Sequence, residues 1–278
     1  MLQNFIAAVI QLCSSTNVSK NIDHAAELIC TAAGQGATYI QTPEMSSIVE
    51  RNKDNLLTQV AYEENDLFLS AMCKLSKDLA ITLHIGSLAL KHNRKLVNRA
   101  FIIDKTGSIR ARYDKIHLYD VDLPNGESWR ESRSYDAGST AVIADVEQAK
   151  IGLSICYDLR FPALYHALAQ NGAQILTVPS CFTRQTGEAH WHVLQRARAI
   201  ETGSFVISAA QVGLHEDGRE TYGHSIIIDP WGHVLADAGG ADPCIALAEI
   251  NLHLVDHARA MIPVLKHVKD FTVTRMYS

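Results

Sequence analysis

Short apolar runs recur along this chain, separated alternately by helix-length amphipathic segments and by tight turns. Phe5–Leu12, Ala37–Gln41, Ile81–Leu88, Val97–Ile103, Lys150–Cys156, Gln174–Pro179 and Ser204–Gln211 each have the length and apolar character of a buried strand. Between them, Ser19–Gln35, Asp66–Asp78, Pro162–Gln170 and Glu188–Glu201 read as helices. Asp104–Gly107 and Asp229–Gly232 are turn signals joining neighbouring strands. This pattern predicts an α/β domain with helices outside packed sheets. The strand–helix–strand order of the N-terminal part recurs after Lys150, as expected of a duplicated sandwich. With no linker or low-complexity tract, residues 1–278 read as one domain.

Composition narrows the function. A hydrophobic fraction of 47% supports a sizeable core, and a net charge of −5 is spread along the chain. No block of Lys or Arg marks a nucleic-acid or lipid-surface footprint, and no run approaches the length of a membrane span. The N-terminal Met1–Cys13 lacks a basic start and reads as a first strand rather than a signal peptide. Cys13, Cys30, Cys73, Cys156, Cys181 and Cys244 are far apart, without a C-x-x-C pair. They are expected to be reduced thiols in a cytoplasmic protein acting on a small molecule.

The stretch Ile151–Pro162 stands out. It starts as an apolar run, ends in polar residues, and places Pro162 where a helix would begin. Cys156 falls at the strand end, where a nucleophile would be displayed. A thiol needs help to react, because its ordinary pKa is about 8.5 and the thiolate is the nucleophile. Three loops after predicted strands supply candidates: Glu44 after Thr42-Pro43, Lys115 in Tyr113–Asp120, and Glu131 in Trp129–Ser132. Such loops gather at one edge of an α/β sheet. Glu44 can take the thiol proton and later activate a water. Lys115 can offset developing negative charge, with the backbone N–H of Tyr157 as second donor. Glu131 can anchor Lys115 or position the leaving amine or the water.

Thr42-Pro-Glu44, Tyr113-Asp-Lys-Ile-His-Leu-Tyr-Asp120 and Gly152-Leu-Ser-Ile-Cys-Tyr-Asp-Leu-Arg-Phe-Pro162 together resemble the nitrilase, or carbon–nitrogen hydrolase, superfamily. The resemblance runs from about residue 3 to 273. It implies a four-layer α-β-β-α sandwich, often paired by sheet-on-sheet extension into a dimer or higher homo-oligomer. It also implies a Glu-Lys-Cys triad and a thioester mechanism without metal or cofactor. Arg196–Glu201, Tyr222–Ser225 and Asp229–Gly232 are most similar to the Nit branch. That similarity implies a small carboxylated amide as substrate, with deaminated glutathione expected first and ammonia as the leaving group. The alternatives are an omega-amidase acting on alpha-ketoglutaramate and an N-carbamoyl amino-acid hydrolase.

Other residues have competing readings. Arg184 departs from the less charged segment expected there and is a candidate for the substrate carboxylate, as is Arg160; either could equally serve structure. An Asp158–Arg160 ion pair could hold the turn after Cys156 or a dimer contact. Trp129 and Tyr135 could line the pocket. His190 and His192, at i and i+2 on a helix, point apart and make a poor metal pair.

Overall fold

The computed structural model describes residues 4–124 and 126–276. Its strands are β1 (Asn4–Gln11), β2 (Tyr39–Gln41), β3 (Thr82–His92), β4 (Lys95–Ile103), β5 (Ile109–Asp114), β6 (Asp120–Asp122), β7 (Ser128–Arg130), β8 (Ile143–Asp145), β9 (Lys150–Gly152), β10 (Ile175–Thr177), β11 (Phe205–Ser208), β12 (Val212–Leu214), β13 (Glu220–Tyr222), β14 (Ile226–Ile228), β15 (Val234–Asp237) and β16 (Cys244–Asn251). The α-helices are α1 (Val18–Gly34), α2 (Lys53–Gln59), α3 (Leu67–Leu79), α4 (Pro162–Gln170), α5 (Arg184–Thr202) and α6 (His253–Met261).

Two six-stranded sheets carry the fold, ordered β16-β1-β2-β3-β4-β5 and β15-β14-β11-β10-β9-β8. Each has three parallel strands, β1-β2-β3 and β9-β10-β11, continued by an antiparallel pair and flanked by one antiparallel strand on the other side. The two halves of the chain thus repeat one topology. Alternation along β1 explains the layering. Phe5, Ala7 and Val9 join a core with residues of the second sheet and with Tyr165 and Trp191 of α4 and α5, whereas Ala8 and Ile10 pack with α1 and α3. The order of layers is therefore helices, sheet, sheet, helices, the expected α-β-β-α sandwich.

Several local expectations change. The strand containing Cys156 pairs only as far as Gly152, and Cys156 itself opens a 3₁₀ turn with φ of 47°. Helix α5 starts at Arg184, not Glu188, and runs through Gly187. The lack of a side chain at Gly187 is used for packing, because a Cβ there would sit 2.3 Å from Tyr222. Helix α2, unread from the sequence, begins at Asn52, whose side chain accepts from the N–H groups of Asp54 and Asn55. The stretch 117–138, read as irregular, contains the small β6–β7 hairpin.

Gly86 lies at a register irregularity between β3 and β4. A Cβ there would be 2.0 Å from the Thr42 carbonyl oxygen and 2.3 Å from Pro179 Cβ. Here the loops from the two sheets meet with no space between them. Gly86→Ala is expected to destabilise the fold by about 1–3 kcal/mol through overpacking, measured as a lower urea midpoint with an unchanged denaturant slope.

Candidate active site

Glu44 and Lys115 follow β2 and β5 of the first sheet, and Cys156 and Cys181 follow β9 and β10 of the second. The structure brings these four, with Glu131, Trp129 and Tyr157, to the wall of one cavity of about 280 Å³. Each loop is pinned by its backbone. Ser46 Oγ donates to the Pro43 carbonyl and to Thr42 Oγ1, and Gln211 donates to the Glu44 carbonyl. The Lys115 N–H donates to the Asn98 carbonyl, and the Lys115 carbonyl accepts from Gly138 N–H. The Cys156 N–H donates to the Pro179 carbonyl at 3.0 Å. The left-handed backbone of Cys156 costs about 1–2 kcal/mol for a residue with a Cβ and is held by these surroundings.

The side chains form a buried charge cluster. Lys115 Nζ donates to Glu44 Oε1 at 2.8 Å and to Glu131 Oε2 at 2.9 Å, with Glu131 Oε1 at 3.2 Å. Asn98 Nδ2 reaches Glu44 Oε1 at 2.8 Å and Glu131 Oε1 at 3.2 Å, so one amide ties the two carboxylates together. Glu44 Oε2 accepts from the Cys181 N–H at 2.8 Å, and Glu131 Oε2 from the Tyr119 N–H at 2.6 Å.

Burial opposes ionisation of Glu44, but the charge and hydrogen bond of Lys115 outweigh it and hold the carboxyl below its ordinary range. Burial would likewise neutralise Lys115, and the charges of Glu131 and Glu44 override it, keeping the ammonium protonated. The Cys156 thiol is pushed well above its usual value, first by burial and then by the Glu44 charge, against the pull of Lys115. At neutral pH the resting cluster is a thiol, two carboxylates and an ammonium.

Asp158 was expected to pair with Arg160; instead it organises the turn. It is fully buried, and its Oδ2 accepts from Tyr113 Oη at 2.7 Å and Ile155 N–H at 2.9 Å. Its Oδ1 accepts from the His117 N–H at 3.0 Å and lies 2.6 Å from His117 Nδ1. Tyr113 and His117 flank Lys115 by two residues on either side, so the carboxylate clamps the lysine's segment to the cysteine's. Arg160 turns away, lying over the Phe182 ring at 5.2 Å and 3.2 Å from His190 Nδ1.

Neither proposed carboxylate-binding arginine lines the cavity. Arg184 is 58% exposed and pairs with Glu188 at 3.1 Å and Glu220 at 2.6 Å. Starting α5 at residue 184 turns its side chain toward solvent and β13. The cations that do line the cavity are Arg51, Lys53, Lys115, Arg130 and Arg219. Trp129 and Tyr135 line it as expected. His190 and His192 diverge. His192 joins His224 and Asp237, with ligand-capable atoms all within 4.8 Å, and both imidazoles are hydrogen-bonded to the carboxylate. None of these three lines the cavity. Sequence reasoning missed Asn98 and Arg219, which lie in no recognised motif; Asp158, inside the Gly152–Pro162 motif, was given a structural role but the wrong partner.

A thiol beside a carboxylate base and an ammonium, at an open cavity, is equipped for acyl transfer through a covalent intermediate. Residues 6–260 match the model of the family described as carbon-nitrogen hydrolase. A Synechocystis protein named deaminated glutathione amidase is 39% identical over 272 residues, covering 96% of this chain and 98% of that one. A Mus musculus protein of the same name is 40% identical over 268 residues, covering 94% and 82%. The crystal structure of the Caenorhabditis elegans NitFhit protein superposes with a TM-score of 0.88 at 35% identity, over 96% of this chain and 65% of that longer one. The chain belongs to the carbon–nitrogen hydrolase family, in the Nit branch of the nitrilase superfamily. It is an amidase, a hydrolase of carbon–nitrogen bonds other than peptide bonds.

The raised thiol pKa gives a pH signature. A group deprotonated only well above pH 9 gains thiolate at every step up to that pH. Carbamidomethylation of Cys156, followed by peptide mass spectrometry, is expected to accelerate about tenfold per pH unit from 7 to 9. A plateau near pH 7 would show a pre-formed thiolate.

Proposed function

We propose that this chain hydrolyses deaminated glutathione through a Cys156 thioester, using Glu44 as base, Lys115 and the Tyr157 N–H as oxyanion donors, and Glu131 as the anchor of Lys115. The observation that carries this reading is the juxtaposition of Glu44, Lys115 and Cys156 on one cavity wall, in a chain whose full-length relatives bear that name.

The steps follow from the hydrogen bonds. Glu44 removes the thiol proton as sulfur attacks the amide carbon. The Lys115 Nζ–H at the long 3.2 Å contact to Glu131 is the donor most easily turned to the new oxyanion. At the start of the 3₁₀ turn, the Tyr157 N–H is one of the donors that a helical turn does not satisfy itself. Glu44 passes its proton to the departing nitrogen, and the C–N bond breaks. The leaving group is ammonia for a primary amide. For deaminated glutathione it is the amine of the remaining dipeptide. Glu44 then takes a proton from water, the hydroxide attacks the thioester, and collapse expels the sulfur, which Glu44 reprotonates.

We further propose a homodimer, in a reducing compartment such as the cytoplasm. Exposed Ile200 and Trp231 on α5 and the β14–β15 turn support the first, and six unpaired cysteines the second. Among the described residues, no helix is long and apolar enough to cross a membrane.

Lys115→Ala is expected to fold and to lose 10²–10³-fold or more in kcat, the usual effect of removing one oxyanion donor. Parallel assays of deaminated glutathione and alpha-ketoglutaramate test the substrate. A kcat/KM favouring alpha-ketoglutaramate by tenfold would make the chain an omega-amidase. Intact-protein mass spectrometry should show an acyl adduct on wild type. The same adduct on Cys156→Ala would remove the thioester from the mechanism.

A further inference from the structure

Two guanidinium groups share one indole at the cavity. Arg219 lies 4.5 Å and Arg51 4.6 Å from the centroid of the Trp129 ring. All three residues line the cavity that holds Cys156. Their settings differ. Arg219 is largely buried, with its side chain 16% exposed, whereas Arg51 is 50% exposed. Arg219 Nη1 donates to Cys181 Sγ at 3.4 Å, and the Cys181 N–H holds Glu44, so Arg219 sits at the inner end beside the base.

The hydrogen-bonding capacity of Arg219 is not filled where it stands, although the buried Asp217 balances its charge. Its carboxylate neighbour Asp217 is 3.8 Å away, beyond hydrogen-bonding distance. The Cys181 thiol, pushed up to about 11 chiefly by burial, is neutral at physiological pH. The Nε–H of Arg219 and the indole N–H of Trp129 are both buried and have no acceptor among the described residues. Buried donors are ordinarily satisfied, and a guanidinium strongly so. Arg130, also on the wall, is spent on Asp122 and two backbone carbonyls. A ligand anion is the partner that Arg219 and Trp129 lack.

We infer that Arg219, with the Trp129 N–H, binds the carboxylate of the acyl half of the substrate, and that Arg51 binds a second carboxylate on the leaving half at the cavity mouth. The substrate class is an extended amide carrying an acid at each end. This rests on the amidase reading above and adds the specificity elements to it. A guanidinium held over an indole by a cation–π contact presents donors to a carboxylate with less side-chain freedom left to lose.

Two measurements test it. The first is binding of 2-oxoglutarate, the acid that the acyl half of deaminated glutathione becomes, to Cys156→Ala by calorimetry. Arg219→Gln in that background is expected to weaken binding at least thirtyfold, and Arg51→Gln less than threefold. The second is kcat/KM for deaminated glutathione and alpha-ketoglutaramate. Arg219→Gln should lower both at least thirtyfold. Arg51→Gln should lower only that of deaminated glutathione, by about tenfold. Arg219→Lys keeps the charge without the fork and should fall between wild type and Gln, which separates ligand binding from a folding defect. Unchanged 2-oxoglutarate affinity in a folded Arg219→Gln protein would overturn the inner subsite. An equal loss on both substrates in Arg51→Gln would overturn the outer one. Arg219-dependent binding of 2-oxoglutarate without turnover of either amide would keep the inner subsite and refute the amidase substrate instead.

Discussion

One buried carboxylate holds the two halves of the site together. Asp158 belongs to the loop that follows β9 of the second sheet, yet three of its four hydrogen-bond partner atoms belong to Tyr113 and His117, at and after the end of β5 in the first. A carboxylate with no exposure is tolerated only when its lone pairs are taken up, and here all come from the segments that carry Lys115 and Cys156. Remove it and each sheet still has its own hydrogen bonds, but the ammonium and the thiol lose their common reference. Gly86 works toward the same end by letting the Thr42 carbonyl and Pro179 approach without a side chain between them.

The charge cluster is arranged so that no member is free to neutralise itself. A lone lysine as buried as Lys115 would shed its proton, and a lone glutamate as buried as Glu44 would keep one. Between them, with Glu131 on the far side and Asn98 bridging, each keeps the other ionised. The cost falls on Cys156, whose ionisation would add a third negative charge to a site already carrying two against one positive. The base is thus charged before substrate arrives, and the nucleophile is not.

The strands themselves were legible in the sequence, because alternation and turn chemistry are local, although several end earlier than their apolar runs. Glu44, Lys115 and Cys156 could be placed in loops after those strands, their standing as a set came from the joint pattern of their motifs, and the α-β-β-α architecture followed from the resemblance of those motifs. Side-chain destinations were not legible. Arg184, for its charge in a segment expected to be less charged, and Arg160 read as candidate anion binders, yet one points to solvent from the first turn of α5 and the other onto Phe182. Arg219, in a short turn between β12 and β13, carries no local signal. Its position depends on that hairpin packing beside Trp129 of the distant β6–β7 hairpin. Asn98 lies within an ordinary strand, and only the pairing of β4 with β5 sets it beside Lys115.

A nucleophile that rests as a thiol has a consequence for the protein's lifetime. Peroxides oxidise thiolates, and the ladder from sulfenic to sulfonic acid begins with that ionised form. In the idle enzyme the sulfur is shielded by its own proton. In the proposed mechanism the proton would move to Glu44 only as the carbonyl carbon is attacked, and the thioester would then occupy the sulfur until water releases it. On that mechanism the sulfur would be ionised only between hydrolysis and reprotonation. A site that holds its sulfur protonated in the absence of substrate keeps it from the first step of that ladder.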